Sequence, residues 1–240
     1  MKRWVMPLVA LAGAALGAAG VVAYDRAAPA GLGASDTARI ERVVRDYVMA
    51  HPEIIPEAMQ RLQDREQGKA IAAVRGDVVR PFGSAWAGNP QGDVTLVEYY
   101  DYNCGYCRAS LPLLRQLVAR DPKLRIVFRE LPILTESSRD AARVSLLAAA
   151  QGRFAAFNAA LYAAGPVSAA TITRAAAGAG VDLRQAASFA ARADAEIARN
   201  MKTAARLGLS GTPAWVVGDR VLAGALPIDQ IEAAIAAARR

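Results

Sequence analysis

This sequence is most informative at Val94-Thr95-Leu96-Val97-Glu98-Tyr99-Tyr100, followed directly by Asp101-Tyr102-Asn103-Cys104-Gly105-Tyr106-Cys107-Arg108. The first segment is apolar and rich in β-branched and aromatic residues, as in a buried strand. The second segment holds the only two cysteines of the 240 residues. A Cys-x-x-Cys pair between a strand and a helix is typical of thiol–disulfide exchange. A purely structural disulfide explains the pair poorly, because closing so short a loop removes little entropy from the unfolded chain.

The residues after the dithiol predict a small mixed sheet with a helical insertion. The predicted elements are a helix 107–120, a strand 124–130, a helical region 137–207, strands 214–217 and 221–222, and a helix from about 227. A capping box is predicted at Ser137-Ser138-Arg139-Asp140. Breaks in the helical region are predicted at Gly165-Pro166, Gly178-Ala179-Gly180 and Ala193-Asp194.

The N-terminus predicts export from the cytoplasm. Met1-Lys2-Arg3 is a basic segment, and residues 4–23 form an uncharged run rich in Ala, Gly, Val and Leu. Cleavage after Ala23 is the favoured interpretation, and retention of residues 4–23 as a membrane anchor is the alternative. A flexible linker is predicted at residues 24–35. In either case the body of the protein lies in the periplasm, where disulfides persist.

A helical arm is predicted at residues 36–80, ahead of the main domain. Apolar residues recur at three- and four-residue spacing on both sides of His51-Pro52, which should interrupt the helix. The arm either packs back on the domain or associates with the arms of other copies. Self-association is favoured, because the arm would otherwise leave its apolar faces in water.

Two segments together resemble a known family. They are residues 101–108, quoted above, and Gly211-Thr212-Pro213-Ala214-Trp215-Val216-Val217-Gly218, and they resemble the DsbA-like thioredoxin-fold thiol–disulfide oxidoreductases. The resemblance covers residues 88–240 and implies an α/β thioredoxin fold with an inserted all-helical subdomain at about 137–207. The arm, with His51-Pro52-Glu53, resembles the subgroup related to the copper-sensitivity suppressor protein ScsC and the Com1-type envelope proteins.

The two cysteines are expected to have different roles. Cys104 should lie at a helix N-terminus, where unpaired backbone N–H groups and the helix dipole stabilise a thiolate. We therefore expect Cys104 to form the mixed disulfide with a substrate protein. Cys107 should lie one turn inside the helix, more buried, and should release that substrate.

Five further residues are expected to tune or complete the site. Gly105 and Tyr106 stand where the strongest oxidants of the family carry Pro-His, and Tyr cannot supply a positive charge to the thiolate. Glu98 matches the buried acid that relays the proton of the resolving thiol in this family, with a solvated strand glutamate as the alternative. The bond matching Thr212-Pro213 is cis in the family and faces the dithiol, where the Thr212 backbone pairs with an extended substrate.

The predicted function is a periplasmic thiol–disulfide oxidoreductase that forms or isomerises disulfides in exported, cysteine-containing proteins. It needs no cofactor and no metal site, and it needs a membrane redox partner. The alternative is a copper(I)-binding or copper-tolerance protein that uses the same two thiolates. The net charge of +7 is spread along the sequence, and no nucleic-acid-binding module or phosphate loop is visible.

Overall fold

The computed structural model describes residues 33–240, which divide after Gln60 into two compact units. The predicted leader at residues 1–23 and most of the predicted linker at residues 24–35 lie outside the described residues. No helix within residues 33–240 combines the length and the apolar character that a membrane span requires.

The helices of the described chain number eight. They are α1 (Ala34–Ala50), α2 (Ile54–Val79), α3 (Gly105–Arg120), α4 (Glu136–Ala150), α5 (Phe154–Ala163), α6 (Ala169–Ala179), α7 (Ala186–Arg206) and α8 (Ile228–Ala238). Helix α1 ends immediately before His51-Pro52, as predicted, because a proline disfavours helical geometry in the residue before it.

The second unit is built on a five-stranded mixed sheet. Its strands are β1 (Trp86–Gly88), β2 (Val94–Tyr100), β3 (Leu124–Glu130), β4 (Ala214–Val217) and β5 (Arg220–Ala223). The strand order is β1-β3-β2-β4-β5, and only the β2–β3 pair is parallel. The register places Glu98 opposite Phe128 and Tyr100 opposite Glu130. This sheet with its inserted helices confirms the predicted α/β thioredoxin fold.

Helices cover both faces of the sheet, because alternate side chains of a strand point to opposite faces. Leu96 and Tyr100 of β2 pack in one buried cluster with residues of α3, α4, α5 and α8. Val97 and Tyr99, from the same strand, pack in a second cluster with α2 and α7.

The boundary between the two units falls inside the predicted arm, residues 36–80. Ile71, Val74 and Val78 of α2 are buried against the sheet, so this part of the helix belongs to the core of the second unit. In contrast, α1 has no buried residue.

Two expectations about the helical insertion are wrong. The predicted break at Ala193-Asp194 lies inside α7, which is continuous because Ala193 is fully buried and Asp194 binds two arginines. Arg143 donates to Asp194 through Nε at 2.9 Å and Nη2 at 3.0 Å, and Arg139 also pairs with it.

The predicted capping box at residues 137–140 does not form either. Helix α4 begins earlier, and the cap is Thr135, whose Oγ1 accepts a hydrogen bond from Ser138 N at 3.2 Å. The hydroxyl of Ser138 is engaged elsewhere, since it donates to Asp101 Oδ1 at 2.7 Å.

Candidate active site

Cys104 is the N-terminal cap of α3. Its backbone is extended, and its Sγ accepts a hydrogen bond from Cys107 N at 3.3 Å. The first N–H groups of a helix have no partner within the helix, and the Cys104 sulfur accepts a hydrogen bond from one of them. The helix begins at Gly105, two residues earlier than predicted.

Both cysteines are free thiols, and both are buried. Cys104 is 6% exposed and Cys107 is 1% exposed, so Cys104 is the sulfur that a partner reaches more easily. Burial raises the pKa of the Cys107 thiol, and the negative charge of Glu98 raises it further. Cys107 therefore holds its proton firmly in the reduced protein.

The loop before β4 meets the dithiol from the other side. The Thr212–Pro213 peptide bond is cis. The Cys104 thiol donates to Thr212 O at 3.2 Å, so two segments 108 residues apart in sequence are in contact. The Thr212 hydroxyl oxygen is buried and makes no hydrogen bond to the described residues.

Glu98 lies on β2, on the same sheet face as Tyr100. It is only 2% exposed, which excludes the alternative of a solvated strand glutamate. Its Oε1 has no hydrogen-bond partner within the described residues. Burial raises the pKa of Glu98 well above its usual range, and the negative charge of Cys104 raises it further. The carboxyl therefore holds its proton more firmly than an exposed glutamate does.

Gly105 and Tyr106 form the first turn of α3. Tyr106 is 68% exposed, so its phenol stands at the surface beside the dithiol. Its backbone oxygen accepts a hydrogen bond from the Ser110 hydroxyl at 2.9 Å. A Cβ at Gly105 would meet nothing within 4 Å, so the space next to Cys104 is open.

Asp101 anchors the loop that carries Cys104, a role that was not predicted from the sequence. Its carboxylate accepts hydrogen bonds from Asn103 N at 2.8 Å, Ile133 N at 2.9 Å and Leu134 N at 3.1 Å, besides the Ser138 hydroxyl. Its backbone oxygen accepts from Cys104 N at 3.0 Å. An Asp two residues before a polar turn residue is the local signal that predicts the Asn103 contact.

A buried polar cluster lies behind this loop, and it was also missed. Tyr100 donates to Glu130, and the Tyr102 hydroxyl lies 2.8 Å from the Ser145 hydroxyl and accepts from Asn158 Nδ2 at 3.3 Å. Burial raises the pKa of Glu130 to about 8, against the lowering effect of its hydrogen bonds. These partners are distant in sequence, so no local pattern connects them.

Metal binding has little support beyond the two thiols. Within residues 33–240, no three His, Cys, Asp or Glu side chains are grouped as a metal site would need. Cys104 and Cys107 are the only two thiols of the sequence that a copper(I) ion could bind.

Two family models match the chain. The DSBA-like thioredoxin domain matches residues 95–236, and the copper resistance protein ScsC N-terminal domain matches residues 36–69. The first match contains Glu98 and the whole dithiol, and the second covers most of α1 and the first part of α2.

Solved structures have the same fold. A ScsC variant from Proteus mirabilis with a linker deletion is 27% identical, with a TM-score of 0.67, and the match covers 88% of this chain and 98% of that chain. A thioredoxin-like oxidoreductase from Silicibacter pomeroyi DSS-3 is 38% identical, with a TM-score of 0.64 and coverage of 69% and 97%.

A curated relative matches only in part. The Na⁺/H⁺ antiporter NhaA 3 from Salinispora tropica is 31% identical over 156 residues, which are 63% of this chain and 24% of that protein. The chain thus spans about a quarter of the length of the curated relatives it matches.

Proposed function

Because this chain belongs to the DSBA-like thioredoxin domain family, in its ScsC-like branch, we propose that it exchanges disulfides in exported proteins through Cys104 and Cys107. Members of this family are thioredoxin-fold thiol–disulfide oxidoreductases. The observation that carries the proposal is the position of Cys104 Sγ, which caps α3 and lies 3.2 Å from Thr212 O.

In the proposed reaction, the Cys104 thiolate attacks one sulfur of a substrate disulfide. A bond forms between Cys104 and that sulfur, the substrate S–S bond breaks, and the other substrate sulfur leaves as a thiolate. Cys107 then attacks Cys104 Sγ, which releases the first substrate sulfur and leaves a Cys104–Cys107 disulfide. The same steps in reverse pass the disulfide to a reduced substrate.

Glu98 is the proposed acceptor of the proton that Cys107 must lose. The Cys107 thiol is a poor nucleophile while it is protonated, and burial holds the proton on it. An ionised Glu98 is a strong base in this setting, because burial raises its pKa as well. The proton would pass from Cys107 to Glu98 as Cys107 attacks.

Substrates are proposed to be extended segments of cysteine-containing proteins in the periplasm, reached through the predicted leader at residues 1–23. The exposed Tyr106 and the Thr212 backbone would contact the residues around the substrate cysteine. Gly105-Tyr106 supplies no histidine to stabilise the thiolate, which favours exchange and isomerisation over strong oxidation. A membrane redox partner would then reset the dithiol.

Insulin reduction and the refolding of scrambled ribonuclease test this function. We expect Cys104→Ser to abolish both activities. The matched variant Cys107→Ser should still form the mixed disulfide but should not release it, so the adduct should accumulate on non-reducing gels. Full activity of Cys104→Ser, or no activity in the wild-type protein, would contradict the proposal.

Copper(I) sequestration is a second candidate, because the match to the copper resistance protein ScsC N-terminal domain covers residues 36–69. In this case the two thiolates would bind copper(I) directly. Competition with a colorimetric copper(I) chelator separates the candidates. Copper binding that competes with insulin reduction would indicate that both uses share the dithiol, whereas binding that survives Cys104→Ser would exclude this site.

A further inference from the structure

An apolar cavity of about 370 Å³ lies at the β1 edge of the sheet, between α3 and α5. Its walls include Trp86 of β1, Phe128 of β3 and Phe154 of α5, together with Leu111 and Val118 of α3. Cavities of roughly 300 to 1,000 Å³ are typical of small-molecule sites. Cys104, Cys107, Glu98 and Thr212 are not among its lining residues, so the cavity is separate from the proposed redox site.

One charged residue lines this cavity. Arg115 is exposed on α3, and it makes no hydrogen bond or ion pair within the residues that the structure describes. Other arginines of this unit behave differently: Arg120, Arg139 and Arg143 each pair with a carboxylate. The guanidinium of Arg115 is therefore free to bind an anion at the edge of an apolar cavity.

We propose that this cavity binds an amphipathic anion, namely a medium-chain carboxylate. The apolar chain would lie among Trp86, Phe128 and Phe154, where its removal from water is favourable. The carboxylate would pair with Arg115, whose planar guanidinium matches a carboxylate in a two-bond geometry. A neutral chain of the same length lacks this pairing, and a cationic chain is repelled by Arg115.

Trp86 provides the signal for a binding experiment. Dodecanoate is titrated into the full chain, below the concentration at which micelles form, while tryptophan fluorescence is recorded. We expect a saturable change that Trp86→Phe removes when Trp4→Phe is present in both proteins compared, because Trp215 is fully buried and does not line the cavity. Dodecanol and dodecylammonium should bind more weakly than dodecanoate. No saturable change, or equal binding of all three chains, would overturn the proposal.

The charge of Arg115 and the free volume of the cavity are tested with separate variants. Arg115→Gln should weaken dodecanoate binding about three- to tenfold and leave dodecanol binding unchanged. Its matched control is Arg174→Gln, since Arg174 is an exposed arginine of α6 outside the cavity. Equal weakening by both variants would indicate a general charge effect and would overturn the pairing with Arg115.

Ala159→Phe should fill the cavity and remove dodecanoate binding. Ala159 is an exposed cavity residue of α5, whereas Ala156 is equally exposed on the same helix and does not line the cavity. Ala156→Phe should therefore bind dodecanoate as the wild-type protein does. Unchanged binding in Ala159→Phe would place the ligand elsewhere and overturn the proposal. None of these readouts depends on the redox activity of the dithiol.

Discussion

Glu98 shows how a single buried carboxyl connects folding with chemistry. Burying an unpaired carboxylate is costly, so the pKa of Glu98 rises well above the usual range, and the ionised group is a stronger base than an exposed glutamate. Its Oε1 makes no hydrogen bond to the described residues that would favour either form. The protein thus carries a destabilising group next to Cys107, which is the arrangement expected of a proton acceptor rather than of a packing residue.

This burial predicts a pH-dependent stability. Below about pH 4.5, Glu98 is protonated in both the folded and the unfolded chain, and no penalty arises. As the pH rises, the unfolded chain releases the proton while the folded chain retains it, so the free energy of unfolding falls until the raised pKa is reached. Glu98→Gln removes this titration. Urea unfolding of the reduced protein should show the variant gaining stability over wild type between acidic and neutral pH.

A surface carboxyl is the control. Glu41 is exposed on α1, and Glu41→Gln should show no such pH-dependent gain. The same Glu98→Gln protein should also resolve the Cys104 mixed disulfide more slowly at neutral pH, because Cys107 loses its proton acceptor. If Glu98→Gln shows the pH-dependent gain in stability but resolves the Cys104 mixed disulfide at the wild-type rate, Glu98 has only a structural role.

At the scale of an element, the C-terminal end of helix α2 depends on one buried charged side chain. The C-terminal carbonyls of a helix need partners. Arg129 of β3, only 3% exposed, supplies them by donating to the backbone oxygens of Val78, at 3.1 Å, and of Asp77 and Arg80. The Arg129 guanidinium also binds Glu196 of α7 at 2.6 Å. One buried cation thus joins a helix end, a strand and a second helix.

Removing Arg129 should therefore destabilise the second unit strongly. Arg129→Met leaves Glu196 partly unpaired in the core and the end of α2 without donors, and we expect a loss of about 3 kcal/mol in the free energy of unfolding. Arg199→Met is the matched control. It removes the exposed partner of the same carboxylate, bound at 2.7 Å, and should cost about 1 kcal/mol or less.

A double variant shows whether the stability cost of Arg129→Met comes from the unpaired charge of Glu196 or from the lost contacts of Arg129. Arg129→Met combined with Glu196→Met removes both buried charges, so it should be more stable than Arg129→Met alone. If the double variant is the less stable of the two, the unpaired Glu196 is not the source of the cost. Denaturant unfolding of all four proteins provides the comparison.

Elements with strong local signals were predicted from the sequence with the same first and last residues as in the structure. Strands 94–100 and 124–130 are apolar runs bounded by polar residues, and both agree with the observed β2 and β3. Strand β1 was not predicted, because the three residues Trp86–Gly88 give no periodicity. The sequence predicts a helix break at Ala193-Asp194. Helix α7 continues there because arginines distant in sequence bind Asp194.

The candidate site was predictable in part. The contact of Cys104 with Thr212 was implied by the family resemblance and not by any local pattern, since 108 residues separate the two. Asp101 was missed because most of its partners come from the distant segment 133–138. The cluster around Glu130 was missed for the same reason. Non-local hydrogen bonds leave no trace in local sequence periodicity.

At the scale of the whole molecule, the notable feature is the exposed apolar side chains of helix α1. Ile40, Val43, Val44 and Tyr47 recur at helical spacing, and each is 45% to 61% exposed. Apolar side chains exposed in such a stripe are unfavourable in water and are typical of association surfaces. We propose that this stripe binds the same stripe of other copies of the chain. The oligomer would then present several dithiols to one substrate, an arrangement that would benefit isomerisation.

Light scattering coupled to gel filtration tests this assembly. The measured mass of the wild-type protein should be a multiple of the mass of one chain. The double variant Val43→Glu/Tyr47→Glu should be a monomer, because burying two carboxylates between helices is costly. Ala38→Glu adds the same kind of charge on the opposite side of α1 and should leave the oligomer intact. Insulin reduction depends on one dithiol and should survive in the monomer, whereas refolding of scrambled ribonuclease should slow. A wild-type monomer, or a mass that the double variant does not change, would contradict self-association through α1.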